Sequence, residues 1–254
     1  MTLKIDLNAD IGESFGPWKM GNDTALLEIV TSANVACGFH AGDPDVMLKT
    51  MEIASSNDVG IGAHPGFFDL QGFGRHRLNL PIKTIQNQIR YQIGAAQAMA
   101  RAVNSKLRHV KLHGALSNMA SEDEFLARAC YKAILSIAPE LSIIVLAATA
   151  QMEAAKEIGC NWVGEIFADR SYNDDATLVD RRYPDAMIHD AKIAGPRITK
   201  MIKEGAIISK SGKRIKTKID TICLHGDTPE AIEIAGSVKT CLENAGIQLA
   251  KFQI

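Results

Sequence analysis

Four short stretches share one layout: GFHAGDP at 38–44, GAHPG at 62–66, KLHGA at 111–115 and CLHGD at 223–227. In each, an apolar or β-branched run leads to a histidine flanked by glycine. Histidine is the side chain that exchanges a proton near neutral pH and the commonest metal ligand. Glycine lets the chain turn sharply and lets a ligand approach the backbone. One such histidine is most simply a structural hydrogen-bonder, but His40, His64, His113 and His225 at equivalent positions point to a shared site. Carboxylates and an amide accompany them: Asp6, Asn8, Asp10 and Glu13 fall in DLNADIGES, and Glu165 and Asp169 in GEIFADR. Alternation places Asp6, Asn8 and Asp10 on one side of an extended segment, where a polar cavity explains them better than an apolar core. Two chemistries suit the set. A zinc-, manganese- or iron-type cation would take Asp10, His40 and His64 as ligands and leave a position for water. Alternatively, carboxylates and histidines do metal-free acid–base work by pushing one another's pKa values apart. Spacing does not separate these two. Cys37 lies in an apolar strand and reads as a buried thiol rather than a nucleophile. His76, His109 and His189 lack the strand-end placement and read as surface or loop residues.

Bringing four strand ends together requires a parallel sheet. Strands are expected near 3–7, 33–37, 59–63, 109–112, 142–147, 162–166 and 220–224, alternating with helical patterns to make seven βα units. In such architectures the carboxyl ends of the strands lie on one face, where binding and catalytic groups collect. Asp43 and Pro44 are expected to start a helix running toward Ser56, and Ser121 with Glu124 to form a capping box before FLARACYKAIL. Thr149 to Gly159 reads as a short helix. Asp190 opens another, which Pro196 should bend or restart. Asp227, Thr228 and Pro229 are expected to start the last long helix, closed by Gly246. Residues 64–80 and 167–189 are long loops on the site face, and long ordered loops are usually functional. GAIISKSGKRIKTKI (205–219) reads as a β-hairpin turning at Ser211-Gly212, and QLAKF as a short eighth strand.

The chain has 254 residues, 46% apolar and 22% charged, with formal net charge -1 and pI about 6.7. That balance gives no electrostatic case for nucleic acid or an anionic membrane surface. The longest apolar run, Ile143 to Ala150, is too short to span a bilayer. Five scattered cysteines suggest reduced thiols and hence the cytosol. The opening MTLKIDLNAD enters a strand pattern at once, without a signal-peptide layout, so an unprocessed soluble chain is expected. No phosphate-loop or dinucleotide fingerprint is present. With no linker or compositional break, one domain over 1–254 is expected.

Taken in order, DLNADIGESFG, NVACGFHAGDP, IGAHPGFFDLQGFGR, KLHGALSN, FADRSYNDDATLV and ICLHGDTPEA resemble the LamB/YcsF family of 5-oxoprolinase A-subunit proteins across essentially the whole chain. The resemblance implies a distorted, TIM-like (β/α)7 barrel of the glycoside hydrolase and deacetylase type. It implies a cytoplasmic hydrolase that opens the lactam of 5-oxoproline to L-glutamate with ATP as co-substrate and with partner subunits B and C. Carried over by motif, Asp10, Glu13, His40, His64, His113 and His225 are the catalytic candidates. Asp10, His40 and His64 among them are the metal or water-activating group, and His113 and His225 the acid–base or charge-stabilising one. Asn8, Arg75, Asp169 and Arg170 are expected on the substrate side. Either arginine could clamp a carboxylate or phosphate, or simply order its loop. The family pattern usually has Pro at Leu112 and Tyr at Ser117, departures that bear on substrate preference. The competing expectations are a metal-dependent carbohydrate or small-amide deacetylase and a non-catalytic substrate-positioning subunit.

Overall fold

The computed structural model describes residues 3–227 and 230–253. Its first half contains β1 (Lys4–Ile11), α1 (Asp23–Leu27), β2 (Ser32–Ala36), α2 (Pro44–Ser56), β3 (Gly60–His64), α3 (Ile82–Ala102), β4 (His109–Lys111), α4 (Gly114–Glu122) and α5 (Glu124–Leu135). Then follow β5 (Ser142–Leu146), α6 (Ala150–Ile158), β6 (Trp162–Phe167), α7 (Ala191–Glu204), β7 (Ala206–Ile208), β8 (Arg214–Lys216), β9 (Thr221–His225), α8 (Ala231–Asn244) and β10 (Gln248–Leu249). Strands β1 to β6 and β9 pair in parallel, and β1 also pairs with β9, so the sheet closes into a seven-stranded barrel. The (β/α)7 expectation holds. β10 adds to the start of β1 as the short eighth strand, and β7 with β8 forms the separate antiparallel hairpin.

β1 is longer than the expected 3–7 because its polar residues continue the strand rather than ending it. Ile5, Leu7, Ala9 and Ile11 alternate with Asp6, Asn8 and Asp10, and all seven are buried. The apolar set joins the core under the helices, whereas the polar set hydrogen-bonds across the barrel interior. That interior has layers. At the amino end, Asp6 accepts from Thr31 and Ser32 (both 2.7 Å) and from Thr221. Asp6 therefore belongs to the barrel floor, not to the carboxyl-end face expected for it. Ile144, Val163 and Phe252 form a small apolar cluster of their own, a plug placed by the C-terminal segment.

His109 also departs from expectation. It is fully buried, donates from Nε2 to Asn34 Oδ1 at 2.8 Å, and lies 5.5 Å from the Phe252 ring. Space for its ring exists only because residue 62 is glycine: a Cβ there would lie 2.1 Å from His109 Nε2.

Among the described residues four of the eight helices, α1, α2, α5 and α7, start on a side-chain cap, and three of the expected starts are not met. Asp43 caps α2 by accepting from Val46 N, and Asp190 caps α7 by accepting from Lys192 N. The Ser121–Glu124 box does not form. Asp123, immediately before α5, accepts from Phe125 N and Leu126 N, while Ser121 donates to Asn118 O inside α4. Asp227 is drawn away from α8 by Arg75; α8 begins after Glu230 with no side-chain cap bond, and Thr228 and Pro229 lie outside the described residues. α7 runs continuously through Pro196 instead of restarting there. Thr149 precedes α6, but its hydroxyl donates back to Leu146 O rather than capping.

Candidate active site

The inner ends of the barrel strands build a charged hub. Lys111 is 3% exposed, and its Nζ lies 2.8 Å from Asp10 Oδ1, 2.9 Å from Glu165 Oε1 and 2.8 Å from Cys223 Sγ. Burial opposes its charge, but Asp10, Cys223 and Glu165 hold the ammonium well above its usual range. Asp10 answers it: burial again opposes ionisation, yet His64 and Lys111 keep the carboxyl well below the ordinary range. Asn34 donates to Asp10 Oδ1 (2.9 Å) and to Asn8 Oδ1 (2.6 Å), and Asn8 donates to Glu165 Oε1 (3.1 Å). Buried charges persist only when paired and hydrogen-bonded in this way. The network fixes Asp10 with Oδ2 turned toward the mouth, 3.3 Å from His64 Nε2 and 4.0 Å from His225 Nε2.

Above the hub sit three histidines and a carboxylate. His64 Nδ1 donates to Lys111 O at 2.8 Å, and His113 Nε2 donates to Phe73 O at 2.8 Å. Those carbonyls occupy one nitrogen of each ring and leave His64 Nε2 and His113 Nδ1 turned toward each other. The two atoms are 3.0 Å apart. His40 stacks on His113 with centroids 3.6 Å apart and planes 4° apart, and neither of its buried ring nitrogens has a partner. Glu13 Oε1 stands 3.8 Å from His40 Nε2 and 4.0 Å from His113 Nδ1. Burial, then Asp10 and Asp227, raises the Glu13 carboxyl well above its usual range. Burial pushes His40 and His113 well below the usual histidine range. The loop after β3 closes over these rings at Gly74 (φ +63°), where a Cβ would come within 2.7 Å of both His40 and His113.

One ligand atom from each of Glu13, His40, His64 and His113 lies within 4.8 Å of the others. Three imidazoles and one carboxylate gathered this closely, with both His40 nitrogens unpartnered, fit a divalent transition cation. Relative to the expected set of Asp10, His40 and His64, the geometry adds Glu13 and His113. It leaves Asp10 beside the cluster, held by Lys111.

His225 stands apart from that cluster. Its Nδ1 donates to Asp169 Oδ2 at 2.7 Å, leaving Nε2 to accept from Arg181 at 3.2 Å. Burial works against the Asp169 charge, but His225 and then Arg170 hold the carboxyl below its ordinary range. A carboxylate behind an imidazole fixes its tautomer and orientation, the usual support for a proton-transferring histidine. His225 borders a cavity of about 490 Å³ whose wall includes Asp10, His64, Lys111, His113, Arg170 and Arg181.

Arg75 lies over the Phe73 ring and is tied to Asp227 at 2.6 Å. Arg170 is buried, donates to Val179 O at 2.6 Å and retains an unpartnered Nε. Asn8 is sealed inside the barrel. Burial raises the Cys37 thiol to about 12, in keeping with an inert residue.

Lys111, Asn34, Cys223 and Arg181 escape the sequence reading. For Lys111 a signal existed: His109, Lys111 and His113 alternate, so a strand that points one inward points all of them inward.

The LamB/YcsF sequence pattern matches residues 5–254. The chain is 62% identical over 250 residues to the 5-oxoprolinase A-subunit of Ruegeria pomeroyi, covering 98% of this chain and 99% of that one. It is 50% identical to a 5-oxoprolinase A-subunit of Bradyrhizobium diazoefficiens, the second to bear that name, covering 98% of each. Among solved structures it is similar to a lactam utilization protein from Thermus thermophilus, with TM-score 0.92, 39% identity and coverage of 98% and 100%. A peptidoglycan N-acetylglucosamine deacetylase domain from Eubacterium rectale shares the fold alone, with TM-score 0.53, 9% identity and coverage of 100% and 90%. With its motifs in order, its barrel closed and its strand-end histidines gathered at one mouth, the chain belongs to the LamB/YcsF family.

Proposed function

We propose that this chain is the A-subunit of an ATP-dependent 5-oxoprolinase and carries the site at which the lactam of 5-oxoproline is opened to L-glutamate. The observation that carries the reading is its 62% identity, over 98% of its length, to a protein bearing the A-subunit name. The mouth of the barrel supplies suitable chemistry. An unstrained lactam is a poor electrophile, so ATP serves to phosphorylate its oxygen and make the ring carbon attackable, a task shared with subunits B and C. Water then adds to that carbon and the C–N bond breaks, the departing nitrogen taking up a proton, to leave a γ-glutamyl phosphate that a second water cleaves to L-glutamate and inorganic phosphate. His225, oriented by Asp169, faces the cavity with an Nε2 that holds no proton of its own; it takes one from the attacking water and passes it to the departing nitrogen. Asp10, ionised and fixed by Lys111 and Asn34, orients the attacking water with Oδ2. Glu13, His40, His64 and His113 would hold a divalent cation, which when bound would polarise an oxygen of substrate or water. Among the substrate-side residues, Arg170 borders the cavity, Arg75 braces the loop after β3, and Asn8 acts from below by holding Glu165 and Asn34.

The test is glutamate release from 5-oxoproline, with and without ATP, by this chain alone and with subunits B and C. ATP-dependent release from the assembled complex supports the proposal. Release of acetate from N-acetylated sugars by the chain alone, without ATP, would favour a deacetylase instead. No helix among the described residues is long and apolar enough to cross a membrane, and all five cysteines are free; a cytoplasmic enzyme is consistent with both.

A further inference from the structure

The loop between β6 and α7 carries two arginines, Arg170 and Arg181, that feel the Asp169 charge but make no salt bridge among the described residues. Around the cavity, Arg75 is paired with Asp227, Arg77 with Glu122 and Arg182 with Asp180. Arg170 and Arg181 have no carboxylate within salt-bridge distance among the described residues. Arg170 is 3% exposed, and its Nε is buried without a partner. Arg181 rests its guanidinium on a neutral acceptor, His225 Nε2, at 3.2 Å. The two are close enough that, after burial, Arg181 is the main influence driving the Arg170 guanidinium down, to about 10. Buried or half-buried cations left unpaired are costly, and guanidinium is the group best shaped to take a carboxylate through paired N–H···O bonds.

We propose that Arg181, backed by Arg170, is the receptor for the carboxylate of the substrate, an assignment that rests on the 5-oxoproline reading. The stereochemistry of such a substrate supports it. In a cyclic amide derived from an α-amino acid, the carboxylate sits on the carbon next to the ring nitrogen. Anchoring it on Arg181 therefore delivers that nitrogen, the leaving group, to the neighbourhood of His225 Nε2. Binding also exchanges partners: Arg181 moves its hydrogen bond from His225 to the incoming carboxylate and frees Nε2 to face the lactam nitrogen. In the unliganded protein Arg181 thus occupies the imidazole, and the correct anion releases it. An uncharged lactam would leave His225 engaged.

The experiment uses the complex with subunits B and C and compares wild type, Arg181→Ala, Arg181→Lys and the exposed Arg182→Ala as a control. The KM for 5-oxoproline and the inhibition constant of the uncharged 5-oxoprolinamide are measured for each. Loss of a charge-assisted bidentate contact predicts a rise in KM of roughly 30- to 100-fold for Arg181→Ala. Lysine should restore part of it, and neither the amide constant nor the Arg182→Ala values should move. A KM within twofold of wild type, or equal losses for acid and amide, would overturn the assignment of Arg181 while leaving the 5-oxoprolinase reading intact. A wild-type complex that releases no glutamate would overturn the reading itself and this inference with it.

Discussion

His64 Nε2 and His113 Nδ1 face each other at 3.0 Å while the opposite nitrogen of each ring is committed to a backbone carbonyl. Two imidazole nitrogens so placed call for a shared proton or a cation between them. With Glu13 and the unpartnered His40 beside them, a cation is the simpler resolution. Calorimetric titration of the metal-stripped chain with Zn²⁺ or Mn²⁺ should show one site per chain. In His113→Ala the affinity should fall by about 10²-fold or more, since a ligand rather than an outer partner is lost. A flat titration with either ion would leave the shared proton as the explanation.

Asp169 holds His225 through Nδ1, the nitrogen opposite the one that meets Arg181, so its contribution is to orient the ring. Asp169→Asn keeps the shape but lets the imidazole adopt the wrong tautomer. In the assembled complex kcat should fall by roughly 10²- to 10⁴-fold. KM should change little, because Asp169 is not where the substrate is held. A normal kcat would remove His225 from proton transfer.

Lys111 is the counter-charge on which two buried carboxylates depend. Lys111→Met should destabilise the chain by about 3–5 kcal/mol, since removal of one partner leaves uncompensated charge. For a chain of this size, that lowers Tm by on the order of 10 °C. Adding Glu165→Gln to Lys111→Met should recover part of the loss, because one of the stranded charges is then gone. Thermal unfolding by circular dichroism measures both; additive losses would mean that Lys111 and Glu165 are not coupled.

His109 predicts a pH dependence of stability away from the mouth. Burial, then Arg108 and Lys111, drives its pKa down to about 3. An unfolded histidine takes up a proton below about pH 6.5. Between about 6.5 and about 3 the unfolded state therefore holds the extra proton, and stability falls as pH falls. The slope from this one residue is about 1.4 kcal/mol per pH unit. Urea unfolding from about pH 7 to about pH 4 should be less steeply pH-dependent in His109→Gln, which can still donate to Asn34. Equal slopes would show that His109 is protonated in the folded chain.

The site is legible in the sequence where chemistry coincides with a strand end. His40, His64, His113 and His225 stand out because an apolar run, a histidine and a glycine recur together, and the barrel brings all four to one mouth. What lies inside the strands is harder to read. Alternation marks Asp10, yet Lys111 and His109, which alternate in the same way, do not stand out because β4 is only three residues long. Their burial is made possible by partners on other strands, Asp10, Glu165 and Asn34, which no local pattern reveals. Arg181 is hidden for a different reason. Loop 168–190 has several arginines, and only the folded chain shows which of them have found a carboxylate. At α5 the competition is local: Asp123 and Ser121 are both able to cap, and the nearer acid wins.

The central claim is that lactam opening takes place on this chain, among the histidines and carboxylates at the barrel mouth. The most direct measurement is ATP-dependent glutamate release from 5-oxoproline by the complex with subunits B and C, containing either wild type or His64→Ala. A loss of at least about 10²-fold, with the complex still assembled, is the predicted result. Wild-type turnover with His64→Ala would contradict the account and move the chemistry elsewhere in the complex.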